Sequence, residues 1–298
     1  MIAIDWGTSS FRAYRLDAIG GVREQRSAAA GLLACGGEFE TVLVRELAGW
    51  DDPVIVMAGM IGSRNGWHEV PYVACPAGMA EVVVGLREID VAQLPGRRVL
   101  IAPGVVHHGA GKPPEVMRGE ETQLLGLIDR LGDGGHTLCL PGTHSKWVQL
   151  EGGRIVTLRT AMTGELYALL RKQSLLAALM PASVDDDGDD ADAFARGVIA
   201  SAGDGGLANH LFGVRTQGLF GTLGPGAAPS YLSGLLIGHE LRALLPASPA
   251  DVHLIGGLAL QQRYARALAL LGATPRVHGE ELAARGLYRL AFARGLVA

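Results

Sequence analysis

The chain has 298 residues, of which 48% are hydrophobic and 19% are charged, and its formal net charge is −4 at pH 7. This composition is typical of a folded globular protein and excludes a disordered chain. The negative net charge excludes a general attraction to nucleic acid or to anionic membranes. The length allows one large domain or two lobes of ordinary size.

Cysteine usage and the N-terminal sequence favour the cytoplasm. Cys35, Cys75 and Cys139 are widely spaced and odd in number, which is typical of reduced thiols, and no CxxC pattern indicates zinc. The N-terminus lacks the basic and apolar regions of a secretory signal, and no apolar run approaches the roughly 20 residues that span a bilayer. We expect a cytoplasmic protein, and the sequence leaves a homo-oligomer open.

The first seventeen residues predict two strands joined by a tight polar turn. Apolar residues alternate on both strands, with Ile2 and Ile4 before Asp5, and Phe11 and Ala13 after the turn. The turn consists of Gly7, Thr8, Ser9 and Ser10. Its backbone N–H groups and hydroxyls could bind a phosphate, and Asp5 could hold Mg²⁺ directly or through water. An ordinary Gly/Ser hairpin is the alternative interpretation.

Strands and helices then alternate along the chain. Helices are predicted over 38–50, 117–131, 163–180, 191–201, 205–219, 230–245, 258–271 and from about Glu280 to the end. Strands are predicted over 22–29, 53–58, 98–102, 136–140, 146–150, 154–160 and 252–255. Thr163 is expected to cap its helix. The acidic run 185–190 lacks the full ligand pattern of a calcium loop, so we interpret it as a solvated loop.

Two α/β lobes around a cleft are indicated, because each predicted sheet begins with a turn rich in glycine and hydroxyl residues. Proline and glycine cluster over 103–114, where we expect the boundary between the lobes. The predicted N-terminal lobe is 1–115 and the predicted C-terminal lobe is 116–298. The last helix could pack back on the N-terminal lobe.

The common nucleotide-binding fingerprints are missing. Lys112 follows Gly111, but position 106 is Val and position 113 is Pro, so no GxxxxGK[ST] loop exists. The glycines near residue 132 lack the GxGxxG spacing after a strand, which argues against a dinucleotide dehydrogenase.

A second polar turn follows the buried strand that ends at Leu140. It carries Gly142, Thr143, His144, Ser145 and Lys146. Unmatched polar groups at the end of a buried strand are costly, so this pattern favours anion binding, with a structural hydrogen-bond network as the alternative. Lys146 is one of only three lysines among the 26 basic residues, and its compact charge suits phosphate.

Two adjacent carboxylates, Glu120 and Glu121, lie near the start of the helix predicted over 117–131. Neighbours on a helix point about 100° apart, so we expect only one of them to enter a cleft. Its function would be that of a general base which accepts a hydroxyl proton during phosphoryl transfer. The alternative is that both are surface residues favoured by the helix dipole.

The order of these motifs resembles the actin/hexokinase ATPase superfamily. Its members contain a first phosphate turn, a connecting helix, a second phosphate turn and a Gly-Gly adenosine turn, in that sequence. Within it, the chain is similar to the 2-dehydro-3-deoxygalactonokinase family over essentially its full length. The matching runs are Asp5–Tyr14, Gly59–Trp67, Pro71–Pro76, Met117–Gln123, Pro141–Val148 and Thr160–Leu166. The resemblance implies two ribonuclease-H-like lobes and a phosphotransferase that uses ATP and Mg²⁺.

The resemblance also implies roles for individual residues. Asp5 would organise Mg²⁺, and Gly256 and Gly257 would pack against adenosine. The residues expected around the phosphates are Gly7, Thr8, Ser9, Ser10, Arg12, Gly142, Thr143, His144, Ser145 and Lys146. Sugar kinases of this superfamily usually place Asp at the start of the connecting helix, and Glu120 aligns with it here. We favour Glu120 as the base and leave Glu121 open.

The implied reaction transfers phosphate to the C6 hydroxyl of 2-dehydro-3-deoxy-D-galactonate, in galactonate breakdown. A sugar acid presents a carboxylate, which an arginine fork binds better than lysine does. We expect Arg64 to bind it, Ser63 and Asn65 to bind hydroxyls, and Trp67 to form a wall of the site. The competing arginines are Arg12, Arg118 and Arg159. A kinase of an epimeric acid such as 2-dehydro-3-deoxygluconate, and a non-catalytic nucleotide-gated sensor, are the alternative functions.

Overall fold

The computed structural model describes residues 1–183, 189–246, 251–279 and 281–298. Residues 185–188 of the predicted acidic loop lie outside the described residues. Residue 280, where we expected the last helix to begin, lies outside them as well.

Strands and helices alternate as the sequence predicts for an α/β protein. The strands are β1 (Ile2–Trp6), β2 (Phe11–Leu16), β3 (Val22–Ala28), β4 (Val54–Ala58), β5 (Val73–Ala74), β6 (Arg87–Ile89), β7 (Arg98–Ile101), β8 (Val105–His107), β9 (Glu115–Met117), β10 (Gly135–Leu140), β11 (Ser145–Glu151), β12 (Arg154–Ala161), β13 (Asp251–Ile255) and β14 (Thr274–His278). The helices are α1 (Leu32–Cys35), α2 (Phe39–Glu46), α3 (Met79–Val84), α4 (Glu120–Leu131), α5 (Thr163–Gln173), α6 (Ala191–Ala200), α7 (Gly206–Leu219), α8 (Ala228–Leu244), α9 (Leu258–Leu270) and α10 (Leu282–Ala293).

A six-stranded sheet, ordered β3-β2-β1-β4-β7-β6, carries the predicted first turn. β1 and β2 pair antiparallel from Ile2 with Arg15 to Trp6 with Phe11, so the predicted opening hairpin is confirmed. β4 lies parallel to both β1 and β7. All five residues of β4 are buried, as its uninterrupted apolar sequence predicts. A small sheet ordered β5-β8-β9 accompanies it.

A five-stranded sheet, ordered β12-β11-β10-β13-β14, carries the predicted second turn. β10, β13 and β14 run parallel, and the β13–α9 connection contains the predicted Gly-Gly turn. Cys139, Trp147, Leu254 and Tyr264 belong to the hydrophobic core next to this sheet. The turns at the ends of buried strands are therefore held on packed elements.

Contacts group the chain into two compact units. Unit 1 comprises Met1–Gly135, Val148–Leu158 and Gly279–Ala298, and unit 2 comprises His136–Trp147 and Arg159–His278. This grouping differs from the predicted division at residue 115/116, because α4 packs on α10 inside unit 1. Glycines allow the close approach: a Cβ on Gly126 would lie 2.2 Å from the Leu282 carbonyl oxygen, and one on Gly286 would lie 1.8 Å from that of Thr122.

Several helix boundaries differ from the prediction by three residues or more, and the first is the end of α2, at Glu46 rather than at residue 50. α4 begins at Glu120, three residues late, because Met117 ends β9 and Gly119 has a φ of +112°. α5 ends at Gln173, before Met180, and the Thr163 hydroxyl does not cap it but donates to the Glu240 carboxylate. The short elements α1, α3, β5, β6, β8, β9 and β14 were not predicted. No helix in the described part of the chain combines the length and apolarity that membrane crossing requires.

Candidate active site

The first turn of unit 1 is held by hydrogen bonds from the first residues of α1. The Gly7 N–H donates to the Ser10 carbonyl at 2.9 Å, which closes the hairpin. The N–H groups of Leu32 and Leu33 donate to the carbonyls of residues 7 and 8, at 3.1 and 3.2 Å. Only a glycine fits at Gly31, because a Cβ there would lie 2.4 Å from backbone atoms of residues 8 and 9. The side chains of Thr8 and Ser9 are exposed, so these hydrogen bonds leave the turn open to a ligand.

Asp5 is the last residue but one of β1, close to this turn, and is half-buried. Burial raises the pKa of its carboxyl, and the positive charge of Arg12 opposes that rise. Gly59 and Gly119, with φ of +98° and +112°, leave space next to the carboxylate, since a Cβ on Gly59 would lie 3.3 Å from Oδ1.

The donor set around Asp5 fits a magnesium ion. The described residues contain no group of three or more His, Cys, Asp or Glu able to hold a metal. Mg²⁺ is commonly held by one or two carboxylates with water and substrate phosphates, so the single carboxylate of Asp5 is compatible with Mg²⁺.

The two glutamates at the start of α4 have different surroundings. Glu121 has no exposed surface; its Oε2 accepts from the Gly119 N–H at 2.7 Å, and its Oε1 has no partner among the described residues. Burial, and then the charge of Glu120, raise the pKa of Glu121 to about 8. Glu120 is half-buried, and its Oε2 accepts from the Arg118 N–H at 3.2 Å. At neutral pH, Glu121 is therefore mostly protonated, and it is shielded from solvent. Glu120 is partly exposed, so a ligand can reach its carboxylate.

Arg118 lies buried beside these glutamates, with a side chain that is only 7% exposed. Its Nη2 donates to the Val70 carbonyl at 2.7 Å, and its guanidinium lies 4.2 Å from the ring centroid of Tyr72. The remaining guanidinium nitrogens, Nε and Nη1, have no partner among the described residues, and neither has the buried Ser63 hydroxyl. A Cβ on Gly62 would lie 3.1 Å from Arg118 Nη1, so the guanidinium packs against the loop that carries Ser63.

The other predicted substrate residues lie in less enclosed positions. Arg64 and Asn65 are exposed in the same loop, and Arg159 is exposed on β12 in unit 2. Trp67 is half-buried and stacks on Phe39 with ring centroids 6.4 Å apart, so it is attached to the core of unit 1.

The second turn, in unit 2, packs against the start of α5. A Cβ on Gly164 would lie 2.4 Å from the Gly142 carbonyl oxygen, and the Glu165 N–H donates to the Thr143 carbonyl at 3.0 Å. His144 is exposed, and its Nε2 lies 2.5 Å from a carboxylate oxygen of Glu165. The first residues of α5 thus shape this turn.

Ser145 and Lys146 point into unit 2. Ser145 is fully buried, and its hydroxyl lies 2.8 Å from that of Tyr264. Lys146 is 8% exposed and donates to the Thr160 hydroxyl at 3.2 Å. For Ser145 the observed contact is therefore the structural hydrogen-bond network, which was the alternative interpretation of this turn.

A cavity of unit 2 adjoins this turn. Gly142, Thr163, Leu236, Leu260 and Tyr264 are among its lining residues. In the same unit, the predicted Gly-Gly turn lies against the second turn: Gly256 has a φ of +147°, and a Cβ on it would lie 3.3 Å from the Pro141 carbonyl oxygen. Gly257 precedes α9 as its N-cap. Unit 2 thus brings together two segments that are about 115 positions apart in sequence.

The fold and these turns define an α/β protein of the actin-like ATPase type, as predicted. A shared fold is seen in the activator of the 2-hydroxyisocaproyl-CoA dehydratase from Clostridium difficile with bound ADPNP, at a TM-score of 0.52 and 11% identity over 99% of this chain and 96% of that one. A crystal structure from Sinorhizobium meliloti, described under the name 2-dehydro-3-deoxygalactonokinase, matches with a TM-score of 0.89 and 36% identity over 98% of both chains.

Sequence comparison gives the particular family. The family model 2-keto-3-deoxy-galactonokinase matches residues 5–290. A probable 2-dehydro-3-deoxygalactonokinase of Rhizobium meliloti is 37% identical over 96% of this chain and 94% of its own length. The 2-dehydro-3-deoxygalactonokinase of Escherichia coli is 35% identical over 91% and 90%. The chain belongs to the 2-keto-3-deoxy-galactonokinase family, and it is a kinase of carbohydrate metabolism.

Proposed function

We propose that the enzyme transfers the γ-phosphoryl group of ATP to the C6 hydroxyl of 2-dehydro-3-deoxy-D-galactonate. The names of the relatives support this substrate. The structural observation that carries the proposal is Arg118, a buried guanidinium with two nitrogens that have no partner among the described residues. Buried polar groups are nearly always hydrogen-bonded, so such a group indicates a ligand or water that completes it.

Arg118 is the arginine best placed to bind the carboxylate of the sugar acid. Because Glu121 is mostly protonated at neutral pH, it does not neutralise the guanidinium. Nε and Nη1, which have no partner among the described residues, can donate to an anion, and the stacking on Tyr72 fixes the plane of the fork. The Ser63 hydroxyl, also without a partner among the described residues, supplies a further polar group. Arg64, Arg12 and Arg159 are more exposed and have more freedom to move.

Glu120 is the proposed general base. It is half-buried and reachable, whereas Glu121 has no exposed surface and is mostly protonated at neutral pH. A carboxylate that accepts the proton of the attacking hydroxyl makes that oxygen a better nucleophile. Otherwise phosphoryl transfer depends mainly on positioning and charge stabilisation.

The nucleotide would be bound by the two turns. The residues proposed around its phosphates are Gly7, Thr8, Ser9, Ser10, Arg12, Gly142, Thr143, His144 and Lys146. Gly256 and Gly257 are proposed to pack against adenosine. Asp5 would hold Mg²⁺, which neutralises phosphate charge when it is bound.

Product analysis tests the proposal. After incubation with Mg-ATP and the galacto acid, a phosphorus–proton NMR correlation should place the new phosphate on the C6 methylene group. A phosphate on any other carbon would contradict the proposed acceptor hydroxyl. Transfer to the gluconate epimer at an equal kcat/KM would contradict the proposed preference for the galacto acid.

A further inference from the structure

Glu240 is a buried carboxylate of unit 2 that the proposed chemistry does not use. It lies on α8 and is only 6% exposed. Its Oε1 accepts from the Trp147 indole N–H at 2.7 Å, and its Oε2 accepts from the Tyr264 hydroxyl at 2.7 Å and from the Thr163 hydroxyl. The Tyr264 hydroxyl in turn lies 2.8 Å from that of Ser145. One carboxylate thus joins α8 to β11, α5 and α9.

The partners of Glu240 lie at the candidate nucleotide-binding region of unit 2. Thr163 and Tyr264 line the cavity beside the second turn, together with Gly142. Ser145 belongs to the second turn itself. The next residue after Thr163, Gly164, packs on the Gly142 carbonyl, so the position of the α5 start sets the position of the turn.

We propose that Glu240 is a positioning residue for nucleotide binding, which acts through Thr163, Tyr264 and Ser145 to fix the second turn and the adjoining cavity. This inference rests on the proposed use of ATP. It assigns to Glu240 no contact with the nucleotide. Its effect is to keep three donor side chains in one geometry, because its two oxygens accept from all three of them.

Replacing Glu240 by Ala and by Gln separates the contribution of its hydrogen bonds to ADP binding from that of its negative charge. In Glu240→Ala the indole and both hydroxyls lose their acceptor, so the Kd for ADP should rise roughly 10-fold or more. In Glu240→Gln the amide oxygen can still accept from Trp147, and the amide nitrogen can donate to the oxygens of Thr163 and Tyr264. We expect Glu240→Gln to bind ADP within about 2-fold of the unmodified protein.

Two milder variants test the same network if Glu240→Ala does not fold. Tyr264→Phe keeps the ring in the cavity wall but removes the link from Glu240 to Ser145, and Thr163→Val removes one donor. Both should raise the Kd for ADP and the KM for ATP and leave the KM for the sugar acid, at saturating ATP, unchanged. Since Tyr264 acts with Glu240, the effects of Glu240→Ala and Tyr264→Phe should be less than additive in the double variant.

Ser201→Ala is a matched control in the same unit. Ser201 is 5% exposed, its hydroxyl donates to the Val198 carbonyl at 2.7 Å and accepts from Arg242 at 3.0 Å, and it does not line the cavity. It should lower Tm without changing the Kd for ADP.

Calorimetric titration with ADP, with the KM values beside it, decides the inference. An unchanged Kd in Tyr264→Phe and Thr163→Val would overturn it, as would a rise in Ser201→Ala equal to theirs. Binding of ADP is measured without a sugar acid, so these results remain valid if the unmodified enzyme phosphorylates none of the tested acids. A failure of the unmodified enzyme to phosphorylate any tested acid would contradict the proposed function but not the role of Glu240 in ADP binding.

Discussion

Glu120 and Glu121 differ in accessibility, although they are adjacent, since Glu120 is half-buried and Glu121 has no exposed surface. Because Glu121 is mostly protonated at neutral pH, Glu121→Gln resembles the state already present and should keep near-normal turnover. Glu120→Gln removes the proposed base, so kcat should fall by on the order of 100-fold or more, with the KM for ATP retained. Steady-state kinetics of the two variants, compared side by side, give the answer. Equal losses in both, or near-normal turnover in Glu120→Gln, would contradict this assignment of the base.

The raised pKa of Glu121 also predicts how stability depends on pH. The folded state holds a proton on this carboxyl up to about pH 8, whereas the unfolded chain releases it at the ordinary value of 4.5. The contribution of Glu121 to stability is therefore fully present below about pH 4.5 and is lost as pH rises towards 8. Relative to Glu121→Gln, the unmodified protein should lose Tm across this window. Parallel Tm curves for the two proteins would show that the carboxyl does not titrate in this way.

Arg118 and Arg64 provide a test of the carboxylate site. Arg118→Ala should raise the KM for the sugar acid roughly 10-fold or more, because a charge-assisted fork is lost, while the KM for ATP stays the same. Arg118→Lys keeps the positive charge but lacks the planar fork, so its KM for the sugar acid should lie between those of the unmodified protein and Arg118→Ala. Arg64→Ala, on an exposed side chain of the same unit, is the control and should change the KM for the acid little. The reverse pattern would move the carboxylate site to Arg64.

The close packing of α4 on α10 predicts that a single substitution at their contact destabilises the protein. In Gly286→Ala the new Cβ would lie 1.8 Å from the Thr122 carbonyl oxygen, so the two helices must separate. We expect the free energy of unfolding to fall by about 1–3 kcal/mol. Gly213→Ala in α7 is the matched control, since its Cβ meets open space and Ala is the better helix former by about 1 kcal/mol. Urea unfolding measures both, and equal stabilities would contradict the close contact of α4 with α10.

Elements with strong hydrophobic patterns could be predicted from the sequence, and short ones could not. β4 was predicted from its uninterrupted apolar sequence, and the β1–β2 hairpin was predicted from its alternating apolar residues. The start of α4 was missed because Met117 reads as apolar helix sequence while its backbone pairs in β9. β5, β6 and β8 are two or three residues long and depend on neighbouring strands, which gives them little local signal.

The candidate site was predictable where its chemistry is local. The two turns are visible as runs of glycine and hydroxyl residues, and both occupy strand ends in the structure. The burial of Arg118 could not be predicted, since it depends on Val70 and Tyr72, more than 40 positions away. The role of Glu240 was missed for the same reason: its partners come from three other elements. The local sequence shows only that Glu240 is the one acidic residue in the helix predicted over 230–245.

Across the whole molecule, the order of motifs carries more information than any single motif. A turn such as 7–10 is also compatible with an ordinary hairpin, but it is followed in order by the connecting helix, the second turn and the Gly-Gly turn. This order predicted the fold and the family, and the family match over residues 5–290 confirms the family. The division of the chain was harder to predict, because unit 1 also includes α4 and Val148–Leu158, which lie beyond the predicted boundary at 115/116.

The central claim is that this enzyme is a kinase of a 2-keto-3-deoxy sugar acid. ADP release from Mg-ATP tests it most directly, with the purified protein and four conditions: 2-dehydro-3-deoxy-D-galactonate, its gluconate epimer, D-galactonate and no acceptor. We predict release that depends on the galacto acid and is weak or absent in the other three conditions. ADP binding without release in any condition would contradict the claim.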